Sequence, residues 1–219
     1  MKIVILGTGE VCQALAPALL KLGNEVIVGT RDPATTRKRN TEFIRLSRSY
    51  PEIELSTFEV AVRKASHADL IINAISGPAC LEILSPLASF LTSHVIIDVS
   101  SPYDWSSEDS VLSPVNTDSL GEAIQRAIPG AFVVKTLNTL AASVMVDPSV
   151  AGAEHSVFLS GDSSAAKDRV ADLLRKLGWR DVLDLGGIRT ARATEMMLRM
   201  WIDTSKALGT HLFGFKIVR

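Results

Sequence analysis

Cysteine is scarce in this 219-residue sequence: Cys12 and Cys80 are the two it holds, too few for a disulfide framework. Neither stands at metal-ligand spacing from another donor. The four histidines, His67, His94, His155 and His211, lie apart with no HxxxH or His-Cys spacing, which argues against a metal site. An excess of one charge is missing too. Lys and Arg number 23 against 24 Asp and Glu, so nothing marks a surface for nucleic acid or another polyanion. No uninterrupted apolar run reaches the roughly 20 residues that cross a bilayer. The chain opens on a buried-strand pattern rather than on a basic leader followed by an apolar segment and a cleavage site. A cytoplasmic protein without membrane or nucleic-acid partners is the expectation. Internal repeats and a convincing linker are absent as well.

What remains is alternation. Short apolar runs of strand character fall at 2–6, 25–28, 70–75, 95–99, 131–134, 156–160 and 182–185, with a short terminal strand at 213–218. Between them lie stretches of helical spacing at 11–22, 33–49, 163–177 and 190–208. Strands without polar alternation are covered on both faces, and a βαβα order of this kind specifies a mostly parallel sheet wrapped by helices. The Ser-, Pro- and Asp-rich stretch 101–118 reads as a long loop, and Ser100-Ser101-Pro102 at its start is a candidate cover for a ligand. We expect one sheet and one domain over 1–219. Its dinucleotide-binding core is 1–150, and an extension at 151–219 shapes the far side of the site.

Residues 7–12 read Gly-Thr-Gly-Glu-Val-Cys, directly between the first strand and the first helix. A dinucleotide turn needs its first glycine for a tight bend and its second for close approach of backbone to a pyrophosphate. The N–H groups opening the helix then face the phosphates along the helix dipole. Gly7, Thr8, Gly9, Glu10 and Val11 are therefore the candidate pyrophosphate residues, and the fold expected is of the Rossmann type, α/β and doubly wound. Cys12 occupies the third glycine position, where a small, weakly hydrophobic side chain allows a slightly wider helix–strand contact.

An NAD site carries an acid about 20 residues after the glycines to hold the ribose 2′-hydroxyl. Here Gly29 stands at that place, and Thr30 and Arg31 follow it. A hydroxyl and a planar, permanently charged fork suit a 2′-phosphate, and Arg37, Lys38 and Arg39 add positive potential. Asp32 lies past the strand end, where it can cap the next helix. The cofactor read from these residues is NADP(H).

Taken together, the chain resembles the NADP oxidoreductase family that includes the F420-dependent NADP reductases. The resemblance runs through GTGEVCQALA, VGTRDP, VIIDVSSP, FVVKTLNTL, FLSGDSSAAKDRV, LDLGGIRTARATE and the terminal FGFKIVR, with Cys12 as the departure. It implies hydride transfer between NADPH and a small-molecule acceptor, the deazaflavin coenzyme F420 or a flavin-like ring. It places the nicotinamide beside Ala74, Ile75 and Ser76 and beside Thr136, Leu137 and Asn138. The same pattern extends to iron- or flavin-reducing domains. Ring-to-ring transfer needs reacting atoms held about 3–3.5 Å apart more than it needs a catalytic triad, and no triad is visible. Arg189, Arg192 and Arg199 are candidates for the basic lining that an anionic acceptor tail requires.

Two alternatives stay open. Lys135, just past a strand at the ligand edge, could act as a general acid on a carbonyl or imine, with Asn138 beside it; otherwise it ties down a loop while Asn138 forms a turn or holds the carboxamide. A non-catalytic NADP(H) sensor fits the same pattern. Met196, Met197, Met200 and Trp201 have the helical spacing of a core, an apolar ring pocket or a homodimer interface.

Overall fold

A computed structural model describes residues 1–67, 69–106, 111–152 and 154–219. Among the described residues eight strands form: β1 (Lys2–Leu6), β2 (Glu25–Thr30), β3 (Glu54–Thr57), β4 (Leu70–Asn73), β5 (Val95–Asp98), β6 (Phe132–Lys135), β7 (Ser156–Leu159) and β8 (Asp181–Asp184). The helices are α1 (Glu10–Lys21), α2 (Pro33–Arg39), α3 (Thr41–Ser49), α4 (Phe58–Arg63), α5 (Cys80–Leu84), α6 (Ala88–Leu91), α7 (Leu120–Ala127), α8 (Ala142–Val146), α9 (Ser164–Lys176) and α10 (Ala191–Leu208). β1 to β6 pair in parallel in the order β3-β2-β1-β4-β5-β6. The chain thus winds outward from β1 in one direction and then restarts on its other side at β4. The order reverses between β1 and β4, the position at which ligands bind in open α/β sheets.

The apolar strands dictate this layering. Successive residues of a strand point to opposite faces. Ile3 and Ile5 accordingly pack on one side with Leu15 and Leu19 of α1, while Val4 and Leu6 pack on the other with Val62 of α4 and Ile124 of α7. All four strand residues are fully buried, each worth about 2 kcal/mol of transfer free energy.

Several expectations need correction. The sheet is not single: β7 and β8 form a separate parallel pair, joined to the main sheet by one antiparallel bridge between Lys135 and Ser160. β3 pairs with β2 at the sheet's edge, although its sequence ELST carries little strand signal. The helical stretch 33–49 is two helices, broken at Asn40, whose carboxamide oxygen caps α3 by accepting from the Phe43 N–H at 2.9 Å. No strand forms at 213–218. Instead the Phe215 carbonyl accepts from the Ser156 N–H, and the Ile217 N–H donates to the Ser156 hydroxyl, so the segment is tied down at one residue of β7. Residues of 101–118 that are described form neither helix nor strand, as expected of a loop; 107–110 lie outside the described residues. Among the described residues, no helix is long and apolar enough to cross a membrane.

Candidate functional site

β1 ends in a turn that only glycine can make. Gly7 has φ +116°, and a Cβ there would lie 2.5 Å from the Ala74 carbonyl oxygen at the end of β4. Gly9 sits at the N-cap of α1 with no side-chain cap, and a Cβ there would meet nothing within 4 Å. Open space therefore lies over the start of α1, the cradle a pyrophosphate needs. Two side chains missed from sequence hold this turn: Gln13 and Asn40 both donate to the Thr8 carbonyl, at 3.2 and 3.3 Å. Gln13 lies on α1 and Asn40 at the break between α2 and α3, and nothing in their spacing signals the contact. Cys12 is fully buried, and desolvation pushes its thiol up to about 12, so it packs and does not react.

At the end of β2, Asp32 caps α2 as its position suggested, accepting from the Ala34 and Thr35 N–H groups. Arg31 and Lys38 are exposed. The Thr30 hydroxyl is buried against that of Thr36 at 3.0 Å.

From Gly9, Glu10 and Val11 a cleft of about 560 Å³ runs along the carboxyl ends of the strands. Ala74, Ile75 and Ser76 border it, then Ser100, Ser101 and Asn138. Met145 of α8, Leu198 and Trp201 of α10, Trp105 and His211 line it as well. Leu137 does not border the cleft. It is buried in the core with φ +61°, a left-handed turn costing about 1–2 kcal/mol for a residue with a Cβ. That turn sets Asn138 at the cleft, where its amide donates to the Thr194 carbonyl of α10 at 2.9 Å.

Lys135 lies beneath the cleft and not in it. Its ammonium meets Asp98 at 2.9 Å, Glu195 at 3.0 Å and the Ser100 carbonyl at 2.6 Å, with no exposure of the side chain. Burial alone would lower its pKa, but the two carboxylates outweigh that and push it up to about 12. The ammonium is enclosed by these partners beneath the cleft, a position that favours the loop-fastening role over that of a general acid. Lys135 instead ties down the loop after β5. Glu195 also accepts from the Leu120 and Gly121 N–H groups at the start of α7, at 2.7 and 2.9 Å. Asp98 accepts from Asn73 and Ser100.

The arginines proposed for an anionic tail do not border the cleft. Arg192 is paired with Glu122, Arg199 with Asp203, and Arg189 is exposed ahead of α10. Met196 and Met200 are exposed and Met197 half-buried, whereas Trp201 faces the cleft with its indole N–H buried and unpartnered.

The family of NADP oxidoreductases described as coenzyme F420-dependent matches residues 2–102. A crystal structure of a candidate F420-dependent NADP reductase from Arthrobacter sp. FB24 is 47% identical, covers all of both chains and superposes with a TM-score of 0.95. The F420-dependent NADP reductase of Methanothermobacter thermautotrophicus is 25% identical over 93% of this chain and 88% of its own length. Metalloreductase STEAP3 of Rattus norvegicus is 28% identical over the full chain, which spans 42% of that longer protein. Likeness of this extent, on the sheet order and glycine turn just described, makes the chain a member of the coenzyme F420-dependent NADP oxidoreductase family of enzymes.

Proposed function

We propose that the chain is an NADPH-dependent reductase that passes hydride to a flavin-like ring, coenzyme F420 being the favoured acceptor. One observation carries the reading: a single cleft joins the open start of α1 to an end walled by Trp105 and Trp201. Aromatic and apolar walls suit a planar ring.

The residues present fit the dinucleotide. Gly7, Thr8, Gly9, Glu10 and Val11 would hold its pyrophosphate on backbone N–H groups. Arg31 and Lys38 would hold the 2′-phosphate, with Thr30 fixing the strand end beneath them. Ala74, Ile75, Ser76 and Asn138 would flank the nicotinamide, and Leu137 would set the turn that presents Asn138. When bound, the nicotinamide supplies the hydride. This chain's own work is to orient the two rings and to keep water out between α8, α10 and the 74–77 and 99–101 loops. The buried Asp98–Lys135–Glu195 cluster holds two of those walls in place without touching a ligand.

The names of the methanogen and Arthrobacter proteins support F420 as acceptor, and the sealed Lys135 speaks against carbonyl or imine reduction. Similarity to a metalloreductase favours a ferric chelate as second choice. The test is anaerobic NADPH oxidation by the purified protein with F420, FMN, FAD and ferric chelate in parallel. Turnover with F420 above the others is expected. No turnover with any ring, alongside tight NADPH binding, would overturn the reading.

A further inference from the structure

Reducing a conjugated nitrogen-containing ring by hydride leaves the ring one proton short, and the sealed Lys135 cannot supply it. Glu10 and His211 are the two ionisable side chains that border the cleft among the described residues. Glu10 stands on the first turn of α1, in the turn assigned to the pyrophosphate. His211 lines the same cleft, as do Trp201, Leu198 and Trp105. Its ring is stacked on Trp201, centroids 5.6 Å apart and planes 22° from parallel, and Phe213 stacks on the same indole at 5.7 Å. The segment that carries it is anchored on both sides. Gly209 turns it away from α10 in a left-handed cap, and beyond it Lys216 and Arg219 both pair with Asp181. An exposed histidine is thus held against Trp201 at the cleft rather than left free.

We propose that His211 is the proton donor to the acceptor ring, an inference that rests on the ring-acceptor reading above. In balance, NADPH gives up a hydride, two electrons with one hydrogen, and becomes NADP⁺. The acceptor ring gains that hydride and one proton, and ends as the dihydro form. The proton comes from the imidazolium: its N–H bond breaks as an N–H bond forms on the ring nitrogen left anionic by hydride addition. Water then returns a proton to the neutral imidazole. In the reverse direction the neutral imidazole takes the same proton. Charged groups around the ring do not compete for the role. On α10, Arg199 and Asp203 are paired with each other and Lys206 is exposed, while Lys216 and Arg219 of its own segment are held by Asp181.

Histidine 211 is exposed, so His211→Ala is a substitution the fold tolerates. With F420 as acceptor, kcat should fall about 100-fold, the lower end of what a positioned general acid contributes. The pH–rate profile of H211A should differ from that of the wild type, a change that a merely structural role would not produce. Added imidazole should restore part of the rate, which no loss of packing would allow. F420 binding, followed by quenching of tryptophan fluorescence, should stay within about two-fold of wild type, an expectation for a group that acts on the transition state. In the wild type, bound F420 should displace the His211 ring-proton resonances. H211A with wild-type kcat and pH profile, or F420 binding that leaves those resonances unmoved, would overturn the proposal while leaving the reductase reading intact. Absence of turnover by the wild type with every ring acceptor would overturn both.

Discussion

We propose that nucleotide choice turns on single residues at the end of β2. Gly29 removes the acid that would repel a phosphate, and the helix cap takes up Asp32, the remaining acid nearby. Arg31 is left exposed beside it. A charge-assisted hydrogen bond is worth about 1.5–3 kcal/mol, so Arg31→Ala should weaken NADPH binding roughly 10- to 100-fold and leave NADH untouched. Titration calorimetry with both nucleotides checks this, and an equal loss for the two would refute the 2′-phosphate assignment. The strand end and the Asp32 cap were legible in the sequence because they are consecutive and signal their conformation locally. His211 was visible as a residue but carried no role. Its partner Trp201 lies on a different element, and the stack between them exists only once the chain turns at Gly209.

Between elements, the buried ion cluster does the fastening. Lys135 at the end of β6 meets Asp98 from β5 and Glu195 from α10, and Glu195 holds the first N–H groups of α7. Glu195→Ala would leave two buried N–H groups unpartnered and the ammonium with one carboxylate. Breaking a buried pair in this way costs about 3–5 kcal/mol, which urea denaturation should read as a lowered midpoint with the slope unchanged. Lys135 ionises higher in the folded state, at about 12, than the ordinary lysine value of 10.5. Its contribution is therefore fully present below about pH 10.5 and is lost as pH rises through 12. The wild type should destabilise over that window, and Lys135→Met, already without the cation, should show less of that loss. None of this could be read from sequence, because its members come from strands and a helix far apart in the chain. The strands themselves were legible wherever both faces are buried, as in β1 and β4. β3 was not, since an edge strand of four residues has one neighbour and little apolar demand. The break at Asn40 was written in the sequence as a cap followed by a helix-opening run, but the polar face of 33–49 masked it. The apolar residues of 213–218 suggested a strand, yet the segment meets β7 through Ser156, whose N–H donates to the Phe215 carbonyl and whose hydroxyl accepts from the Ile217 N–H.

At the scale of the molecule, β7, β8 and α9 do not stand apart from the main sheet. Val157, Leu159 and Val170 share one apolar core with Ile3, Ile5 and Leu15, and the Lys135–Ser160 bridge crosses the same boundary. We propose on that ground that 1–219 unfolds as one unit, so a calorimetric scan should show a single transition. The cleft draws its walls from both parts of this unit: the turn after β1, the loops after β4 and β5 and α8 from 1–150, and α10 and His211 from 151–219. A nucleotide seated there binds the folded state alone and stabilises the whole of it. At 100 times its Kd, NADPH should add about 2.7 kcal/mol. For a chain of this size that is an upward shift in Tm of about 5–10 °C. NADH at the same concentration should shift Tm less, because Arg31 and Lys38 find no 2′-phosphate. In Arg31→Ala the NADPH shift should shrink toward that of NADH while the transition stays single. Equal shifts for the two nucleotides in the wild type would refute the nucleotide assignment. Two resolved transitions, one of them unmoved by NADPH, would instead refute unfolding as one unit.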